Sequence, residues 1–369
     1  MEKLFIGIDL HKHQFTVYFM SENGKGDYGK YSTDEKGYAV FLEILKRFKT
    51  EEYGIWLGVE STGNTRFFIK QVKLFCEKIK IVNTMKFKVI NESVNKTDKR
   101  DAKTIAEFLR KDMLPESILS SEESERMKRL LQSRATLVQT RTKLKNQIHG
   151  ILLSYGITTK NGQLNSKKGR NAVIECVRAI DTYQLIKTMI NAIDKLDESI
   201  KEIEKKLEEL SEDDPSVKIL KSIPGTGKIN ALTVRAYIDE IKRFKHYKKL
   251  SAYAGLVPWV QCSDKKEYYG HITKRGPSEL RTALIQMVLG MVRMKDEKDN
   301  VFMQRYRFLK KRKGSGKALV ALARKMSKLV WTLLTNNDEY NRDKMNSPVL
   351  INTALSMQKA ALESKENAA

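Results

Sequence analysis

The sequence predicts a mixed α/β layer followed by a mainly helical region. Residues 4–20, LFIGIDLHKHQFTVYFM, alternate and are rich in β-branched and aromatic residues, as a strand, short turn and second strand would be. Strand-like and amphipathic stretches then follow one another to about residue 110. From about 122 the pattern turns helical and stays so.

In order, SENGKGDYG is turn chemistry and KYSTD reads as a third strand. EKGYAVFLEILKRF places Tyr38, Phe41, Leu45 and Phe48 at helical spacing. YGIWLGVE is an apolar strand ending at Glu60, STGNTRFFIKQVKLFCEK a capped helix, and IKIVN a short strand. KTDKRDAKTIAEF is the next helix. A helix covers about 122–156 and another about 181–211. In the latter Ile186, Met189, Ile193, Leu196, Ile200, Ile203, Leu207 and Leu210 follow a 3,4,3,4,3,4,3 spacing, a heptad seam that predicts a coiled coil. The polar stretch TTKNGQLNSKKGRN between them reads as a basic loop. DDPS at 213–216 marks a boundary, and an α-rich region runs from there to about 336. The expected domains are 1–118, 119–212 and 213–336, with a loosely attached tail at 337–369.

The 369-residue chain carries 69 Lys and Arg against 45 Asp and Glu, a formal net charge of +24. An excess of that size speaks of partners, and nucleic acid is the usual one. No apolar run approaches the ~20 residues of a membrane span, so no membrane partner is expected. The N-terminus lacks a signal-peptide layout, so a cytoplasmic location is expected. Cys76, Cys176 and Cys262 are isolated and read as buried thiols, not as a zinc site or disulfides. His11 and His13 read as solvent-exposed in preference to metal ligands.

Four acids stand out. Asp9 and Glu60 end apolar strands, where open sheets bind ligands at their rims. Asp98 and Asp101 are one helical turn apart and point the same way. Singly, each is commonly a cap, a turn residue or an ion-pair partner. Together in a basic protein they suit Mg²⁺, which takes oxygen ligands, and metal-free clustering would be costly through repulsion.

LKSIPGTGKINALTVRAYI at 220–238 matches a helix-hairpin-helix pattern, whose second helix offers amides to a phosphate and whose Lys228 adds a cation; a plain helix–turn–helix connection competes evenly. It is not a nucleotide P-loop, because the flanking positions are wrong. KGSGK at 313–317 reads as a flexible basic loop. Ser263 falls in a loop and is followed by Lys274, Arg275 and Arg281; on local residues alone it is an ordinary loop serine.

Taken together, GIDLHK, VESTGN and KTDKRDAKTIAEF, with SIPGTGKINA, FKHYKKLSAYAGLVP and ITKRGPSELR, resemble the DEDD transposases of the insertion-sequence 110 family over about residues 4–336. The resemblance implies a RuvC-like, ribonuclease-H-like N-terminal domain whose metal-binding tetrad is Asp9, Glu60, Asp98 and Asp101. It implies a serine nucleophile at Ser263, although Asp264 stands where the family usually has Gly. It further implies Mg²⁺ (or Mn²⁺), donor and target DNA, a structured noncoding guide RNA, and a coiled-coil homodimer assembling to a tetramer. Such a protein would act in a prokaryotic cytoplasm, at the nucleoid when active. Lys and Arg beside Asp98 and Asp101 would offset the acids' repulsion. Alternatives are an unguided DNA invertase on the same scaffold, a nuclease using only the acids, and a non-catalytic nucleic-acid scaffold.

Overall fold

In the computed structural model, which describes residues 2–90, 97–179, 181–263, 266–294 and 301–341, the chain divides after Ser120 into two compact units.

The first unit is built on a six-stranded sheet. Strands β1 (Lys3–Leu10), β2 (Gln14–Met20) and β3 (Gly26–Ser32) form an antiparallel meander. Strands β4 (Gly54–Glu60) and β5 (Lys78–Val82) continue the sheet parallel to β1, and β6 (Glu116–Ser117) closes its edge antiparallel. The strand order is β3-β2-β1-β4-β5-β6. Helices α1 (Glu35–Thr50), α2 (Thr65–Val72), α3 (Thr84–Ile90) and α4 (Asp98–Arg110) accompany it.

Alternation along β1 decides which side chains meet which helix. Leu4, Ile6, Ile8 and Leu10 pack with Ile55, Leu57 and Val59 of β4 against Tyr38, Phe41, Leu45 of α1 and Phe68, Val72 of α2. Phe5 lies on the opposite face, against Ala102, Ile105, Ala106 and Leu109 of α4. Gly7 and Asp9 share that face by parity, as do Gly58 and Glu60 on β4.

Gly7 and Gly58 lie side by side in the β1–β4 register. A Cβ on Gly7 would sit 2.0 Å from the Ala102 carbonyl and 2.5 Å from the Ala106 nitrogen, both helix backbone. One on Gly58 would sit 2.8 Å from Ile105. The two glycines therefore form a shallow groove into which α4 settles.

The second unit is mainly helical. It contains α5 (Glu122–Ser154), a 3₁₀ turn (Gln163–Asn165), α6 (Lys167–Cys176), α7 (Tyr183–Glu209), α8 (Pro215–Ser222), α9 (Lys228–Ile238) and α10 (Tyr247–Tyr253). A hairpin of β7 (Pro258–Ser263) and β8 (Lys266–Ile272) precedes α11 (Ser278–Arg293), α12 (Val301–Lys313) and α13 (Ser315–Asn336). One core joins α8, α9, α11, α12 and α13 with the start of α5. A second joins the end of α5 with α6 and α7.

The heptad seam exists, and it packs within the chain. Ile186, Met189, Ile193, Ile200 and Leu207 are buried, and Ile186, Met189 and Ile193 cluster with Ile148 and Leu152 of α5. Ion pairs Arg134–Glu204 (2.7 Å) and Arg141–Asp197 (2.6 Å) clamp the flanks.

Several local expectations are corrected. The basic loop at 158–171 holds the 3₁₀ turn and the start of α6, because Ser166 caps the helix and Arg170 turns inward to Asp194 and Asp197 at 2.7 and 3.1 Å. KGSGK is a sharp break, not a flexible loop: Gly314, at φ +79°, alone separates α12 from α13. β3 starts at Gly26, inside the expected turn, and α2 ends at Val72. Cys176 and Cys262 are exposed; only Cys76 fits the expectation in part, with burial pushing its thiol up to about 12. The tail expected at 337–369 lies outside the described residues beyond Asn341. Among the described residues no helix is long and apolar enough to cross a membrane.

Gly7→Ala should lower stability by about 3 kcal/mol, since helix backbone cannot yield as a side chain can. Gly150→Ala, inside α5 with open space around it, should raise stability by about 0.5–1 kcal/mol. Urea unfolding of both variants checks the contrast.

Candidate metal centre and nucleic-acid interface

Asp9 ends the apolar run of β1, on the face covered by α4, and is 3% exposed. Glu60 is the last residue of β4, one step past the Ile8–Val59 pairing, so it stands beside Asp9. α4 begins at Asp98, capped by the Thr97 hydroxyl, which accepts from the Arg100 amide. Asp98 and Asp101 occupy its first turn, where carboxylates complement the helix dipole. The groove at Gly7 brings that turn down onto the end of β1.

Asp9 feels the other three acids. Burial pushes the Asp9 carboxyl up to about 6; the charge of His11 lowers it, and those of Glu60, Asp98 and Asp101 raise it further. All four acids singled out in the sequence therefore converge on one end of the parallel strands.

The sequence does not single out the imidazole that faces them. His11 Nε2 lies 3.1 Å from Asp9 Oδ2 and 3.6 Å from Asp98 Oδ1. Its backbone is pinned on both sides: its amide donates to the Gln14 carbonyl (3.0 Å), and its carbonyl accepts from Asn64 Nδ2 (3.0 Å). Gln14 Nε2 donates to Asp98 Oδ2 at 3.4 Å. Asp9, His11 and Asp98 each offer a ligand atom, all within 4.8 Å of one another. His11 is exposed, as expected, yet it belongs to the site. The only signal in sequence was its place just past the strand that carries Asp9.

The flanking lysines do not fill that role. Lys99 lies over the Tyr28 ring (5.6 Å), and Lys103 over Tyr18 (5.8 Å) and beside Glu107 (4.0 Å). Lys96 lies outside the described residues. A cluster of carboxylate oxygens with one imidazole and a buried, destabilised Asp9 fits a divalent cation, which would relieve the repulsion.

In the second unit Ser263 is the last residue of β7, paired with Lys266 across the hairpin, so it ends a strand and does not lie in a loop. Asp264 lies outside the described residues. Two other serines of the segment differ: Ser251 is fully buried and bonds Ser327 (2.7 Å), and Ser278 donates to Glu279 (3.0 Å). The Pro-Gly-x-Gly turn links α8 to α9. Gly225, at φ +76°, touches α11 at Gly290, where added Cβ atoms would meet backbone at 2.2 Å from either side.

The four cations singled out are not equivalent. Lys228 pairs with Glu208. Arg281 Nη1 donates to the carbonyls of Ala254 and Lys274, both at 3.2 Å, and so ties two loops together. Lys274, at φ +52°, and Arg275 have exposed side chains.

Comparison with known proteins defines the class first. A DEDD-type profile described as a transposase matches residues 6–157, covering all four acids, and one described as the transposase IS116/IS110/IS902 family matches 217–304. The chain is 32% identical over 253 residues to the transposase for insertion sequence element IS1111A of Coxiella burnetii, covering 67% of this chain and 68% of that one. It is 24% identical over 348 residues to a probable family 20 transposase of Pseudomonas aeruginosa, covering 91% and 98%. It is 25% identical over 351 residues to the transposase for IS1328 of Yersinia enterocolitica, with the same coverage. The chain belongs to the IS110 family of transposases.

A carboxylate raised to about 6 is destabilising above that pH in the metal-free protein, and the penalty fades as pH falls from 6 toward 4. Asp9→Asn should therefore stabilise the protein in EDTA at pH 7.5 by up to about 3 kcal/mol, with the gain vanishing near pH 4. Thermal melts across pH measure this.

Proposed function

We propose that this transposase excises and inserts its element by serine attack on DNA phosphates. Asp9, Glu60, Asp98 and Asp101 would hold Mg²⁺, or Mn²⁺, with His11 as a further donor. The convergence of the four acids at one end of β1 and β4 carries this reading. The order β3-β2-β1-β4-β5, three antiparallel strands followed by two parallel ones, supports a RuvC-like, ribonuclease-H-like first unit.

When bound, the cation would polarise a phosphate oxygen. Burial fixes Asp9, the α4 cap fixes Asp98 and Asp101, and Thr65 holds the end of β4 by donating to the Glu60 carbonyl (2.7 Å). Ser263 Oγ would bond to phosphorus as the P–O3′ bond breaks. The serine proton leaves to solvent, and the departing 3′ oxygen takes one up. Attack by another strand's 3′-hydroxyl on the phosphoserine then releases Ser263 and rejoins DNA.

Lys274 and Arg275, exposed after the hairpin, would hold backbone, with Arg281 shaping their loop; Lys228 would exchange Glu208 for phosphate. A structured noncoding RNA of the element would choose donor and target. The net charge suits two nucleic acids. Dimers, assembling to tetramers, would form through outer faces of the α5–α7 arm, where Leu153 and Leu185 are exposed, since the seam is used within the chain.

Ser263→Ala should abolish the SDS-stable protein–DNA adduct and lower recombination at least about 10³-fold, and Asp98→Asn should do the same. Cleavage that persists in Ser263→Ala would indicate a nuclease using the acids alone.

Expressed with its native flanking DNA, the protein should copurify with one discrete RNA from the flank. Sequencing that returns only heterogeneous RNA would favour an unguided invertase.

A further inference from the structure

We propose that Lys325, Lys328 and Trp331 on α13, with His246 and Tyr247 at the start of α10, form a binding site for single-stranded DNA. The identity of the strand rests on the recombination reading above, because strand exchange exposes unpaired DNA.

Lys325, Lys328 and Trp331 follow one another at three-residue intervals, so they share one face of α13 over about 9 Å. Lys328 Nζ lies 5.2 Å from the Tyr247 ring centroid. His246 stacks on Tyr247 at 4.2 Å, and Trp331 lies 6.0 and 6.4 Å from those two rings. The platform is held in place: Trp331 Nε1 donates to the Phe244 carbonyl at 2.8 Å, and His246 Nδ1 accepts from the Lys248 amide at 3.3 Å.

A basic helix face is ordinarily just solvated, but two observations set this one apart. First, its cations have no carboxylate partner among the described residues. In the α5–α7 arm arginines pair with Glu204, Asp194 and Asp197. Among the described residues no carboxylate lies within ion-pair distance of Arg305, Lys325 or Lys328, nor of the exposed Lys245, Lys248 and Lys249 beside the platform. Like charges crowd instead: desolvation, then Arg305 and Lys328, hold the Lys325 ammonium below the usual lysine range. Second, rings are interleaved with the cations. Cations suit any phosphodiester, but rings gain from bases only where the bases are unstacked, which selects a single strand over a duplex.

The test is fluorescence anisotropy of a short labelled oligodeoxythymidine with the full chain in EDTA, across a salt series. Lys325→Gln with Lys328→Gln should bind at least about tenfold more weakly, with a log–log salt slope shallower by about 1.4. His246→Ala should lose about fivefold on the single strand and leave duplex binding unchanged. All three positions are exposed, and circular dichroism melts confirm folding. Unchanged affinity and slope in the lysine variant, a loss in His246→Ala that is equal on duplex and single strand, or tighter patch-dependent binding of oligouridine would each overturn the assignment. Because EDTA removes metal chemistry, this outcome is independent of the recombination assays on Ser263 and Asp98.

Discussion

The metal centre depends on how closely one helix can lie against two strands. Gly7 and Gly58 are paired across β1 and β4, and both face α4. Without side chains there, the helix backbone rests almost on the sheet. Its first turn then reaches the strand ends that carry Asp9 and Glu60. Any larger residue at Gly7 must lift α4, and Asp98 and Asp101 would move with it. Packing and chemistry are thus one constraint in the first unit: the same face of β1 carries the glycine that admits the helix and the acid that meets it.

The electrostatics follow from that approach. Four carboxylates brought together around a buried Asp9 are unfavourable without a counter-charge. The His11 imidazole faces them at 3.1 Å from Asp9, from the turn after β1, where hydrogen bonds to Gln14 and Asn64 hold its backbone. Lys99, next to Asp98, and Lys103, two residues past Asp101, instead lie over tyrosines of the meander. Helical geometry explains this: neighbours in sequence are about 100° apart around the axis, so they do not share a face. Sequence proximity overstated their role and understated that of a histidine two residues from Asp9.

Much of this was legible in the sequence because it is periodic. Strands β1, β2 and β4, helices α1 and α4, and the long helices α5 and α7 follow from period-2 and period-3.6 patterns. The acids were legible as polar residues ending apolar strands and as a pair one turn apart. Less legible was anything set by tertiary contact. The seam of α7 reads as an intermolecular coiled coil, since a heptad pattern does not say whether its partner is another chain or α5. The start of helix α6 hides in a polar stretch because its inward residue there is Arg170, buried by ion pairs, while the apolar Val173 comes only a turn later. The α13 platform was missed because its cations and rings are assembled from separate helices.

The second unit shows the same use of glycine at another place. Gly225 and Gly290 let the α8–α9 turn touch α11 backbone to backbone. The motif's glycine is thus explained by packing as well as by its positive φ.

The most direct test of the metal centre is anomalous diffraction at the manganese edge from crystals grown with Mn²⁺. The account predicts a peak among the carboxylate oxygens of Asp9, Glu60, Asp98 and Asp101, with His11 beside it. Ordered acids with no peak between them, or a peak bound elsewhere on the chain, would contradict it.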